Sequence, residues 1–154
     1  MDISTELFEI IRTDPLQYYP YIPQLFKKAD MASQVITFCE TVLPLNRMAD
    51  GMGDYVFADK LTHEFHCLDL VLQELKAYPR QGVKLIKTGL NSRAVRCRNM
   101  ACYALAGWVK LLAMPLSDIS PELYAEIERI HKIEVKKQTK KMMRELLDGR
   151  GANE

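Results

Sequence analysis

The sequence predicts an all-α fold in a single domain spanning residues 1–154. Three observations predict it. Apolar residues recur at intervals of three and four along nearly every periodic segment, the signature of a helix with one face in a core. Prolines fall between those segments, where they start or stop helices. The composition, 48% hydrophobic and 27% charged, suits one globular domain and argues against disorder. At this length roughly 70% of the unfolded surface can be buried.

The elements follow in order. Residues 4–13 place Leu7, Phe8, Ile10 and Ile11 together before Asp14-Pro15 stops the helix. Pro15, Pro20 and Pro23 punctuate a Tyr18-Tyr19-Pro20-Tyr21 turn, and Pro23 suits the first turn of a short helix reaching about Ala29. A helix from about Met31 to Leu43 carries Val35, Ile36, Phe38, Cys39 and Val42, and ends at Pro44. Residues 44–58, with two glycines and no clear period, read as a long loop with a brief extended piece at Tyr55-Val56-Phe57. From Asp59 to Ala77, Leu61, Phe65, Leu68, Leu72 and Leu75 form one stripe. Cys67 and Leu70 lie off that stripe, so this helix is expected to pack on two sides. After Pro79 a short helix reaches about Leu90, and Asn91-Ser92 offers a cap for a long helix from Arg93 to about Met114. Gly107 inside that helix marks a close approach by a neighbour. Ser120, Pro121 and Glu122 start a last helix expected to run unbroken to about Asp148, closed by Gly149. Its glutamates near the start and lysines toward the end would match the helix dipole.

Net charge is +1, but it is unevenly distributed. Residues 1–75 hold 5 Lys/Arg against 12 Asp/Glu (net −7), and residues 76–154 hold 16 against 8 (net +8). Such a chain can attract a polyanion with one half, pair its halves internally, or self-associate. No stretch approaches the ~20 apolar residues that span a bilayer, and the N-terminus has no basic region followed by an apolar core. A cytoplasmic protein with no membrane association is expected. Cys39, Cys67, Cys97 and Cys102 form no CxxC pair and read as buried, reduced thiols.

Three constellations have chemical potential. His63, His66 and Cys67 can converge on one side of a helix as zinc ligands, but the pattern is not HExxH, and packing histidines beside a buried thiol is the preferred reading; no metal or cofactor is expected. Asp50, Asp54, Asp59 and Glu64 surround the long loop, and catalysis would need two of them in one deep pocket. Caps and solvated loop residues account for them more simply. The third is a basic ridge on the last helix. Arg129, Lys132, Lys136, Lys137, Lys140, Lys141 and Arg144 lie along it, with Lys136, Lys140 and Arg144 on one face. Arg80, Lys84, Lys87, Arg93, Arg96 and Arg98 extend the surface. Phosphate-loop, dinucleotide and nucleophile-elbow motifs are absent from the sequence.

One segment resembles a known family. Leu85-Ile86-Lys87-Thr88-Gly89-Leu90, a short turn, then Cys97-Arg98-Asn99-Met100-Ala101-Cys102-Tyr103-Ala104-Leu105 is similar to a repeat of the HEAT and armadillo type, over residues 79–113. Cys97-Arg98 corresponds to that family's apolar-Arg pair, Ala101 to the small site where helices touch, and Ala104-Leu105 to the closing pair. Cys97 stands where valine is more usual, and Asn91 is nearest to the expected aspartate. A fainter echo runs through Leu25–Asp30 and Val35–Leu43, with Cys39 at the small site. The resemblance implies a short right-handed superhelical stack of antiparallel helix pairs, and a binding role. The expectation is a non-enzymatic interaction module or scaffold for a protein partner, with Arg93, Arg96, Lys136, Lys137, Lys140, Lys141 and Arg144 as its contact residues. The alternative is a nucleic-acid-binding protein of HEAT-like form, related in kind to those that repair alkylated DNA bases.

Overall fold

The computed structural model describes residues 2–51, 53 and 63–149, and every element among them is helical. The expected extended piece at Tyr55-Val56-Phe57, Leu61 of the apolar stripe, Asp54 and Asp59 lie outside the described residues. The N-terminal third is a run of short helices broken by proline: α1 (Ser4–Thr13), α2 (Pro15–Tyr18), a 3-10 turn (Tyr19–Tyr21) and α3 (Ile22–Leu25). α1 turns Phe8 and Ile11 inward but leaves Ile10 48% exposed, so only part of its predicted apolar group enters the core. α4 (Ala29–Val42) buries Met31, Ala32, Val35, Ile36 and Cys39, a stripe at helical spacing.

The region read as a loop from residue 44 begins with a helical turn, α5 (Leu45–Met48), which buries Met48. After it the chain leans on the turn between α7 (Val83–Leu90) and α8 (Val95–Leu112): Gly51 N–H donates to the Asn91 carbonyl, and a Cβ on Gly53 would stand 3.0 Å from that of Arg93. α6 (His63–Leu75) buries Phe65, Leu68, Leu72 and Leu75 on the predicted stripe, and also Cys67, Asp69 and Val71. It is therefore packed on two sides, as its sequence anticipated.

α8 is the centre of the fold. It lies against α6, α7 and α11 (Lys137–Asp148), while α7 meets α5 before it and α10 (Pro121–His131) after it. α9 (Leu116–Ile119) links α8 to α10. The sole tryptophan, Trp108, is fully buried on α8 and donates its indole N–H to the Leu75 carbonyl (2.7 Å), tying off the end of α6. A Cβ on Gly107 would stand 2.9 Å from the Lys76 carbonyl oxygen, which is the close approach this glycine was expected to permit. Gly89 and Ala101 bring α7 and α8 together in the same way: a Cβ at Gly89 would meet that of Ala101 at 3.2 Å.

Two helix starts differ in character. Ser120 caps α10 as expected, its hydroxyl accepting from Leu123 N–H (3.2 Å), with Pro121 at the first position. α8 begins two residues later than read, with Ala94 at the capping position, and Ser92 Oγ instead accepts from Ala94 N–H (3.0 Å).

The largest correction is at the C-terminus. The last helix is not continuous: α10 ends at His131, and α11 begins at Lys137 after an elbow. The intervening Ile133 and Val135 are β-branched and add little to helix persistence. Glu134 between them turns inward to Arg98, and its Oε2 accepts from the N–H groups of Val135 (2.9 Å) and Lys136 (3.1 Å). The helix gives way because a tertiary ion pair claims its backbone.

Candidate functional site

The basic half of the chain divides into cations that the fold consumes and cations that it leaves. Arg98, assigned to the outer surface from sequence, is instead completely buried. Its guanidinium grips both Glu134 oxygens (2.7 and 2.9 Å) and donates to the Ser92 carbonyl (2.9 Å), a bidentate pair with both side chains at 0% exposure. Burial of a charge this deep is tolerated only with such full pairing.

Arg93 and Arg96 remain half-exposed but have carboxylate partners from the acidic half. Arg93 Nε lies 3.1 Å from Asp50, and Arg96 Nε lies 2.6 Å from Asp69 on α6. These two contacts join the oppositely charged halves within one fold. Lys87 reaches Glu122 at 2.8 Å, and Arg129 binds Asn91 (2.6 Å) and Glu126, so both belong to the α7–α10 seam rather than to an outer ridge. Arg80 turns toward the Ile119 carbonyl.

Lys76, Lys84, Lys110 and Lys132 stand apart from any ion pair among the described residues, and the one dense group that remains lies at the head of α11 and along it. Lys136, Lys137, Lys140, Lys141 and Arg144 form no ion pair among the described residues. Thr139, Met143 and Leu146 fix the orientation of this helix by facing the core. Lys136, Lys140 and Arg144 recur at four-residue spacing on one flank, and Lys137 and Lys141 are exposed beside them. The break at the elbow has an electrostatic result opposite to the one expected. In an unbroken helix the lysines would lie near the negative end. Here Lys137, Lys140 and Lys141 crowd the positive N-terminal end of α11, whose last turn contains no basic residue. α10 by contrast retains the matched pattern, with Glu122 in its first turn and Arg129 and His131 in its last.

His131 senses this field. Its Nε2 is buried with no hydrogen-bond partner among the described residues. Burial first, then Lys140 and Arg144, push the imidazole pKa below its ordinary value, against a smaller opposing effect of Asp148.

Among the described residues, the members of the other two constellations do not converge on one site. His63 is exposed, its ring edge against Tyr19, whereas Cys67 is buried with its thiol against that of Cys39. Among the described residues no three His, Cys, Asp or Glu side chains stand close enough to hold a metal ion. All four cysteines are free and buried. The hydrogen bond with Cys67 and then burial raise the Cys39 thiol, and burial pushes Cys102 up to about 12, so both stay protonated. Of the loop carboxylates, Asp50 is held by Arg93 and Glu64 by Arg47 (2.8 Å). Glu64 lines a small recess of about 220 Å³ with Asp14, Pro15, Leu16, Val42, Leu43 and Pro44, and its Oε2 is buried without a hydrogen-bond partner among the described residues. Asp50 does not line that recess.

Sequence reasoning missed Glu134, and the only signal for it was a lone acid within a lysine-rich run. No family model, curated protein or solved structure matches the chain.

Proposed function

We propose that the chain is a helical-repeat interaction module that binds an acidic segment of a partner protein along α11. The observation carrying this reading is a set of five cations without an ion-pair partner among the described residues, Lys136 at the capping position of α11 and Lys137, Lys140, Lys141 and Arg144 within it, all but Arg144 toward the positive end of the helix. Elsewhere in the basic half, Lys87, Arg93, Arg96, Arg98 and Arg129 each meet a carboxylate. Like charges at four-residue spacing destabilise a helix by about 0.2–0.5 kcal/mol per pair, and an anionic partner would relieve that repulsion.

The contact order supports a short HEAT-like superhelical stack. α5 and α10 both pack on α7, and α6 and α11 both pack on α8, the succession that two stacked rows of helices would give. Gly89 against Ala101 supplies the close helix contact that the family's small site implies. Such a stack presents a preformed face, so binding requires little ordering of the chain.

Fluorescence anisotropy of labelled polyglutamate and labelled duplex DNA, each at two salt concentrations, tests the reading. Saturable polyglutamate binding that is lost in Lys140→Glu/Arg144→Glu is expected. Binding of DNA alone, weakening steeply with salt, would replace the protein partner with a nucleic acid.

A further inference from the structure

We propose that the elbow between α10 and α11 is a two-pronged apolar anchor, and that the acidic segment it receives carries aliphatic or aromatic side chains between its carboxylates. This deepens the acidic-partner reading and rests on it. With Glu134 drawn fully into the protein, its neighbours Ile133 and Val135 turn outward, 52% and 63% exposed. Single exposed aliphatic residues are ordinary. These two differ because a buried ion pair, and two hydrogen bonds that the Val135 and Lys136 N–H groups donate to the Glu134 carboxylate, fix the turn between them. Both are β-branched and stiff about the first side-chain torsion. The pair is therefore preorganised, and little freedom is lost when it is covered.

The surroundings narrow the ligand. Lys132, Lys136 and Lys137 bracket the two prongs, and Lys140 and Arg144 approach His131 at the start of the same elbow. A purely acidic strand would satisfy the lysines and leave Ile133 and Val135 in water. A purely apolar one would strip water from the lysines and return no charge. A segment that mixes the two satisfies both. An anionic lipid surface shares this chemistry, but the elbow has no tryptophan or tyrosine, the residues that anchor proteins at a bilayer interface. Two short aliphatic tips fit recesses between side chains better than they fit a headgroup layer.

The test compares two labelled peptides of equal charge on the full chain: one of glutamate and serine, the other with leucine and phenylalanine replacing the serines. The expected result is about tenfold tighter binding of the mixed peptide, equivalent to ~1.4 kcal/mol. That advantage should disappear in Ile133→Ser/Val135→Ser, a variant whose unchanged circular dichroism shows it folded. Equal binding of both peptides, or an advantage that survives the double substitution, overturns the anchor while leaving the acidic-partner reading in place. Failure of both peptides to bind at low salt removes both. Binding to phosphatidylserine vesicles but not to the mixed peptide also overturns the anchor, assigning the elbow to a membrane surface.

Discussion

Arg98 and Glu134 show how one residue pair shapes both the core and the surface. Replacing Arg98 with methionine strands a buried carboxylate and should lower stability by about 3–5 kcal/mol, read as a fall in the urea midpoint. The double variant Arg98→Met/Glu134→Leu should recover part of that loss. It cannot recover all, because Glu134 also accepts from Val135 and Lys136. His131 provides a second prediction at this scale. Its pKa is depressed in the folded chain, so the unfolded chain takes up the proton more readily. Its contribution to stability is complete above the ordinary histidine value of about 6.5 and declines as pH falls below it. Thermal melts from about pH 7.5 to 5.5 should therefore show a falling Tm, with a shallower slope in His131→Gln.

At the scale of elements, Gly107 is the sharpest case. Alanine there would gain about 1 kcal/mol in helix propensity, but its Cβ would meet Lys76 backbone atoms at 2.9 and 3.2 Å, a clash that only a backbone shift relieves. The expected outcome is a net loss of about 1–3 kcal/mol, measured by urea unfolding. That close approach was legible only through the glycine it requires, whereas other features were legible because their causes are local. The α10 start was written in Ser120-Pro121-Glu122, and the buried side of α6 in its leucine spacing. The break before α11 was not legible, because the group that draws Glu134 inward is Arg98, far away in sequence. For the same reason Arg98 was read as a surface cation, since periodicity alone does not reveal a partner. The pairing of Arg93 and Arg96 with Asp50 and Asp69 was equally hidden, although the charge imbalance between the halves had left internal pairing as an open option.

Across the whole molecule, one apolar cluster runs from Phe8 in α1 through Trp108 in α8 to Leu146 in α11. The described helices should therefore unfold together. Tryptophan emission reports only Trp108, at the α6–α8 contact, whereas far-UV circular dichroism reports every helix. The two urea transitions should coincide, and an early loss of ellipticity would show the N-terminal helices separating from the rest.

The lysines at the head of α11 place stability and recognition in opposition. Lys137 occupies the first position of that helix, where a carboxylate is favoured over an ammonium group. Lys137→Glu would complement the helix terminus and gain a favourable partner in Lys141, raising Tm through about 0.5–1 kcal/mol at low salt. The same change would weaken capture of an acidic chain. Selection for heat resistance alone would therefore tend to erase the charge that gives this surface its use, a trade-off that a stability screen paired with a binding screen would expose.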